Sequence, residues 1–316
     1  MYFIGIDGGG TKTKGVIADE SGKILSEATV GSTNPNSVNF GMVRNEINML
    51  LNQLKTKSEI DITKIRIVYA GISGAEHPST KRELHHVIAS LFIEKVEVII
   101  NNDAITALYS GTLGKPGIVQ IAGTGSITYG MNQDEVIDRV GGWGYLVGER
   151  GSGYALGSDA LEVAFLAHDG LNGETKLTDL IQNHFKVDTL SDIIPSIYHS
   201  GNSKETIAGL AKLVIEAADD GDLEAEKIIY TNATYMGKSI SSLINKLFHS
   251  QDQKIPVVLT GGLFNRLDLF RETIEKEIDR HNLKVDIIVP SIEPVEGALI
   301  AAMLEKQKQR DGSSAS

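Results

Sequence analysis

An apolar strand running straight into three consecutive glycines limits what the start of this chain can form. Residues 2–6 are apolar, Asp7 follows, then Gly8, Gly9, Gly10, Thr11, Lys12 and Thr13, and a second apolar stretch leaves over 15–18. The pattern predicts a hairpin with a tight, backbone-lined turn. Glycines with positive φ would let such a turn point N–H groups outward. With the Thr11 and Thr13 hydroxyls, these groups make a cradle for phosphate oxygens. Asp7, at the strand's end, stands where a carboxylate would hold hydrated Mg2+ beside those phosphates. Lys12 is placed to touch a phosphate or, by strand alternation, to face solvent. The competing reading is an ordinary glycine-rich hairpin. The stretch is neither a P-loop nor a dinucleotide fingerprint, because it opens a hairpin rather than a helix.

After the hairpin the pattern predicts a third strand over 23–30 and a polar loop over 31–37 that contains Asn34. An amphipathic helix over 43–55 follows, with Ile47, Leu50, Leu51 and Leu54 on one face. Buried-type strands over 65–70 and 96–100 flank a helix over 79–92. The first of these strands leads into the loop Gly71-Ile72-Ser73-Gly74, and the second ends in Asn101-Asn102-Asp103 before a helix over 104–110. Strands alternating with helices imply an α/β fold, a mixed sheet with helices on its faces.

The pattern restarts at Gly114-Lys115-Pro116-Gly117. A strand over 118–122 turns through Gly123-Thr124-Gly125-Ser126 into a strand over 127–131, and a third lies near 136–140. Both halves thus open with a strand, a Gly/Thr turn and a returning strand, and two such cradles facing each other would hold phosphates from both sides. The chain length fits two domains, expected at 1–115 with a returning helix at 294–310, and at 116–293. The second carries a helical insertion over 153–247, with one helix joining Ile207, Leu210, Val214, Ile215 and Ala218, and another over 225–247. A strand over 256–260 ends in Gly261-Gly262, the last strand covers 285–289, and a helix over 294–307 precedes a frayed polar tail.

Composition removes several classes of function. The net charge of −11 and the lack of a basic stretch argue against nucleic acid and anionic membranes as partners. The absence of cysteine excludes disulfides, thiolate zinc sites and cysteine-ligated clusters. No run reaches the length of a membrane span, and no basic, cleavable leader is read at the N-terminus, so a cytoplasmic location is expected.

Taken in order, Asp7-Gly-Gly-Gly-Thr11, Asn102-Asp103, Gly123-Thr124-Gly125-Ser126, Gly142-Trp143-Gly144, Gly151-Ser152-Gly153, Thr260-Gly261-Gly262 and Glu296-Gly297-Ala298 resemble one family. It is the N-acetylglucosamine kinase branch of the BadF/BadG/BcrA/BcrD ATPase family, within the sugar-kinase, heat-shock chaperone and actin superfamily. The resemblance spans roughly residues 1–306. It implies two ribonuclease-H-like domains around a nucleotide cleft, ATP and Mg2+ as cofactors, a homodimer, and phosphorylation of the 6-hydroxyl of an N-acetylated aminosugar. By the resemblance, residues 7–13 form the first phosphate loop and residues 123–126 the second. Gly261 and Gly262 form the adenosine turn, Asp103 is the catalytic base, and Asn34, Ser73, Gly74, Asn102, Gly142, Trp143 and Glu149 lie near the sugar.

Asp103 also reads as a helix N-cap, Trp143 as a core anchor, and Asn34 as a turn residue before Pro35. Where the family usually reads Gly-Asp-Glu-Gly-Ser, this chain has Gly148-Glu149-Arg150-Gly151-Ser152. Arg150 then either pairs with the lactyl carboxylate of N-acetylmuramic acid or with an acid of the protein. Glucosamine kinase and a non-catalytic sugar-binding regulator are the alternative functions. Dehydratase activators of the same family need cluster-binding cysteines, and a chaperone needs a further domain.

Overall fold

The computed structural model describes residues 1–58, 60–198, 201–249 and 253–314. The chain divides into two compact units, residues 1–117 with 288–316, and residues 118–287.

The first unit holds β1 (Tyr2–Gly8), β2 (Thr13–Asp19), β3 (Ile24–Val30), α1 (Phe40–Ser58), β4 (Ile65–Ile72), α2 (Pro78–Ala89), β5 (Glu97–Asn101) and α3 (Asp103–Thr112). Its sheet has the order β3-β2-β1-β4-β5. β1 and β2 pair antiparallel through the glycine-rich hairpin, while β1, β4 and β5 run parallel. The apolar stripe of α1 forms because Val43, Ile47, Leu50 and Leu54 recur at helical spacing, and all four are buried. Each such side chain contributes on the order of 2 kcal/mol by leaving water. Gly15 lets α1 approach the sheet closely, since a Cβ there would meet Leu50 at 3.0 Å.

The second unit repeats the plan. β6 (Gly117–Ala122), β7 (Ser126–Met131) and β8 (Ile137–Gly141) are followed by the helices α4 (Gly153–His168), α5 (Lys176–Phe185), α6 (Ile194–Tyr198), α7 (Ser203–Ala208), α8 (Ala211–Asp219) and α9 (Leu223–Leu247). β9 (Ile255–Thr260), α10 (Arg271–Asp279) and β10 (Val285–Ile288) complete it. The sheet order is β10-β9-β6-β7-β8, so each sheet places its first three strands and then its last two about a central first strand. α11 (Pro294–Ser314) belongs to the first unit.

Three expectations change. The helix expected through Ile207 and Ala218 is two helices, broken at Gly209-Leu210. The backbone of α4 presses there: a Cβ on Gly157 would fall 1.9 Å from the Ile207 carbonyl oxygen. The tail expected to fray continues α11 to Ser314, and Ala315 and Ser316 lie outside the described residues. None of Gly8, Gly9 and Gly10 has positive φ, so left-handed backbone is not why glycine stands there. Gly8 is required by contact instead, because a Cβ would lie 2.3 Å from Thr33 Oγ1.

Candidate functional site

In the first unit the candidate residues gather at the carboxyl ends of its parallel strands, where open α/β sheets place ligands. Asp7 is the penultimate residue of β1, Ser73 follows β4, and Asp103 lies two residues past β5. The Asp103 carboxyl accepts a hydrogen bond from the Ser73 hydroxyl, and the Ser73 amide donates to the Gly8 carbonyl at 2.8 Å. Burial, then the negative charge of Asp7, pushes Asp103 up to about 7 against the opposing hydrogen bond from Ser73. Burial likewise pushes Asp7 up to about 6, opposed by its contact with Thr106 and the charge of Lys12, and Glu293 adds to the rise. Thr106 Oγ1 lies 2.8 Å from Asp7 Oδ1 and 2.6 Å from the Asp103 carbonyl oxygen.

The cap of α3 is Asn102, not Asp103: Asn102 Oδ1 accepts from the Ala104 amide at 2.8 Å. Asp103 stands at the first position of the helix, where its carboxyl also meets the Asp103 and Ala104 amides. Asn102, expected beside the sugar, is buried and its side-chain oxygen is spent on the cap. Thr13 also departs from expectation. It is fully buried with its hydroxyl 2.8 Å from Thr33 Oγ1. The Gly9 amide is used within the turn, donating to the Lys12 carbonyl at 2.9 Å. Gly10, Thr11 and Lys12 form the exposed part of that turn. Asn34 has its turn role, since its Oδ1 accepts from the Asn36 amide at 2.8 Å. It also borders Gly74, where a Cβ would sit 2.6 Å from the same oxygen.

In the second unit the loop Gly123–Ser126 sits on the start of α4. The Gly123 carbonyl accepts from the Gly153 amide at 2.7 Å, and the Thr124 carbonyl from the Tyr154 amide at 3.1 Å. Ser152 caps the same helix through the Ala155 amide at 3.0 Å. The first amides of α4 thus hold the loop in shape. Thr124 is exposed, whereas Ser126 is buried and its hydroxyl accepts from Gln120 at 2.9 Å, which corrects its assignment to the cradle. Gly261, with φ of +112°, touches the end of β6, since a Cβ would lie 2.4 Å from the Ala122 carbonyl oxygen. Gly262 and Gly123 face open space. Bare backbone at the ends of two adjacent parallel strands is a flat seat that an aromatic base or a ribose can approach.

Trp143 is 64% exposed, with the Arg139 guanidinium 4.2 Å from its ring centroid, so it is not a core anchor and one face is covered. Gly142 has φ of +70° and abuts Ile127, a packing role. The Glu149 side chain is only 8% exposed; its Oε2 has no hydrogen-bond partner, with Lys204 Nζ at 3.6 Å, and it points at Gly125, where a Cβ would be 2.8 Å away. Arg150 pairs with the protein acid Asp159, its Nη1 donating to both carboxylate oxygens at 2.8 and 2.7 Å, which is the second of the two pairings read from the sequence. Sequence reasoning missed Thr106 and Lys204, because nothing local distinguishes one buried threonine or one helical lysine from its neighbours.

The sequence model of the BadF/BadG/BcrA/BcrD ATPase family matches residues 4–304. The chain is 33% identical over 314 residues to N-acetyl-D-glucosamine kinase of Dictyostelium discoideum, covering 96% of this chain and 98% of that protein. It is 32% identical over 305 residues to N-acetylmuramic acid/N-acetylglucosamine kinase of Clostridium acetobutylicum, covering 96% and 99%. Among solved structures, one from Chromobacterium violaceum assigned as an N-acetylglucosamine kinase superposes with a TM-score of 0.74 at 23% identity, covering 96% of this chain and 98% of that one. The fold is therefore the actin-like ATPase fold of sugar kinases.

Proposed function

This chain belongs to the BadF/BadG/BcrA/BcrD ATPase family, and from that premise we propose that it transfers a phosphoryl group from ATP to the 6-hydroxyl of an N-acetylated aminosugar. The observation that carries the chemistry is the Asp103 carboxyl, half-buried at the first position of α3 just past β5 and held by Ser73. A base with pKa near the working pH combines ionisation with proton affinity, and Asp103 is raised to about 7. The first turn of α3 and Ser73 hold its orientation toward the sugar hydroxyl. Phosphoryl transfer needs mainly alignment and charge neutralisation, so the base takes up the proton late.

The exposed turn at Gly10, Thr11 and Lys12 and the loop at Thr124 and Gly125 supply backbone donors for the phosphates, while the Gly123 amide shapes that loop by donating to the Gly125 carbonyl at 2.9 Å. Gly261 and Gly262 supply the seat for adenosine. Asp7 fits Mg2+: it is a half-buried carboxylate that desolvation pushes up to about 6, so a cation beside it would favour its ionised form. Among the described residues no group of three or more acidic, histidine or cysteine side chains could hold a metal. This fits an ion that takes one carboxylate and keeps its other ligands from phosphate and water. When bound, Mg2+ would neutralise charge on the phosphates. Asn34, Ser73, Gly74, Trp143 and Glu149 are the proposed sugar contacts. The substrate class comes from the names of the two relatives. A homodimer in the cytoplasm is part of the same proposal; no described helix is long and apolar enough to cross a membrane.

A coupled ADP-release assay with Mg·ATP tests this, run on N-acetylglucosamine, N-acetylmuramic acid, glucosamine and glucose, with Asp103→Ala as control. Turnover on an N-acetylated sugar that falls at least about 100-fold in the variant is expected. Turnover on glucosamine alone would make the acceptor the sugar with a free amine, phosphorylated on a hydroxyl as before. No sugar-stimulated turnover would leave a sugar-binding regulator.

A further inference from the structure

Thr106 stands in the first turn of α3, fully buried. Its hydroxyl reaches both carboxylate-bearing residues, at 2.6 Å from the Asp103 carbonyl oxygen and 2.8 Å from Asp7 Oδ1. Two glycines on other elements make room for it. A Cβ on Gly71 of β4 would fall 2.2 Å from Thr106 Cγ2, and a Cβ on Gly297 of α11 would fall 2.0 Å from the Thr106 carbonyl oxygen. Thus β1, β4 and α11 all close on this one residue. Glycine inside a strand or helix costs stability through its freedom in the unfolded chain, so one meeting the Thr106 side chain and another meeting its backbone mark a position where closeness has a use.

We infer that Thr106 is a positioning residue for phosphoryl transfer: its hydroxyl fixes Asp7 relative to Asp103. The inference rests on the reading of this site as a kinase site. A helical threonine can bond its Oγ1 to the carbonyl three residues back, which selects one χ1. Here that carbonyl belongs to the backbone of Asp103, so the one hydroxyl hydrogen is shared between it and Asp7 Oδ1, which ties Asp7 to the turn that carries Asp103. The Thr106 methyl fills the space above Gly71, which stops the side chain from rotating away. Loss of the hydroxyl leaves Asp7 without this donor and able to turn, and a misplacement of about 1 Å at such a site costs on the order of 100-fold in rate.

Thr106→Val keeps the shape and removes the hydroxyl, whereas Thr106→Ser keeps the hydroxyl and removes the methyl. Both are compared with the wild-type chain for kcat and KM toward ATP and N-acetylglucosamine, and by isothermal titration with Mg·AMP-PNP. Thr106→Val should lose about 100-fold in kcat, while KM for both substrates and the AMP-PNP affinity stay within about threefold. Thr106→Ser should keep kcat within about threefold of wild type. Equal losses in both variants would make the residue a packing element only, and a kcat in Thr106→Val near wild type would discard the inference outright. If circular dichroism shows Thr106→Val unfolded, Thr106→Ala takes its place under the same criteria. A wild-type chain inactive on every aminosugar strikes the kinase reading and this inference with it, whereas active wild type beside active Thr106→Val strikes the inference alone.

Discussion

Asp103 carries its carboxyl at about 7 because it is buried and because Asp7 sets a second negative charge near it. Two acids kept unneutralised in one fold work against stability. The folded state binds protons that the unfolded chain, with aspartates near 3.8, has already released. Stability contributed by these groups is present below about pH 4 and is lost as pH rises through about 6 and then 7. Asp103→Asn, which removes one charge, should raise Tm of the unliganded protein at pH 8 by roughly 3–6 °C and give little gain at pH 4.5. Scanning fluorimetry at the two pH values checks this; equal melting of variant and wild type at pH 8 would mean that the burial of charge is relieved in solution.

The same shift sets the direction of the activity profile. Only ionised Asp103 can take the sugar proton, so kcat/KM should rise about tenfold per unit as pH climbs toward 7 and level off above it. Asp103→Ala should flatten this limb while lowering activity throughout. A wild-type profile that falls with rising pH across this range would remove Asp103 from the role of base.

Gly261 and Gly262 adjoin in sequence but should respond differently to alanine. Gly261 has positive φ, and its Cβ would strike the Ala122 carbonyl at 2.4 Å, so Gly261→Ala should lower Tm and cost about 2 kcal/mol or more. A Cβ on Gly262 meets nothing within 4 Å. Gly262→Ala should therefore melt within about 2 °C of wild type yet bind AMP-PNP at least about fivefold more weakly, because the methyl occupies the proposed adenosine seat. Thermal melts and isothermal titration separate the two outcomes.

Much of this was legible in the sequence where a pattern had length. The central strands of both sheets follow from short continuous apolar runs and the helices from period-3.6 spacing, as with Val43, Ile47, Leu50 and Leu54 in α1. Asp7 and Asp103 could be picked out because each stands at the carboxyl end of an apolar run, although β5 proves only partly buried, with Val98 its one buried residue. What sequence could not show is which way a hydroxyl points. Thr11 and Thr13 are equivalent as letters, but pairing of Gly8 with Thr13 turns the Thr13 side chain inward onto Thr33. Asn102 and Asp103 were likewise interchangeable as caps until the Ala104 amide chose Asn102. Thr106 becomes visible only when residues far apart in the chain, Asp7, Gly71 and Gly297, arrive at one point.

Arg150 holds Asp159, and Asp159 also accepts from Asn232 Nδ2 at 3.0 Å, whose Oδ1 accepts from the Gly151 amide at 2.8 Å. The network fastens the turn that carries Glu149. An exposed pair of this kind contributes about 1 kcal/mol or less, so its loss should loosen the turn without unfolding the unit. Arg150→Ala should therefore raise KM for N-acetylglucosamine and N-acetylmuramic acid by the same factor, about two- to fivefold, and Asp159→Asn should do likewise. The double variant should lose little more than either single one, because both remove the same contact. A loss confined to N-acetylmuramic acid, absent in Asp159→Asn, would instead show the guanidinium reaching the lactyl carboxylate once the sugar is bound.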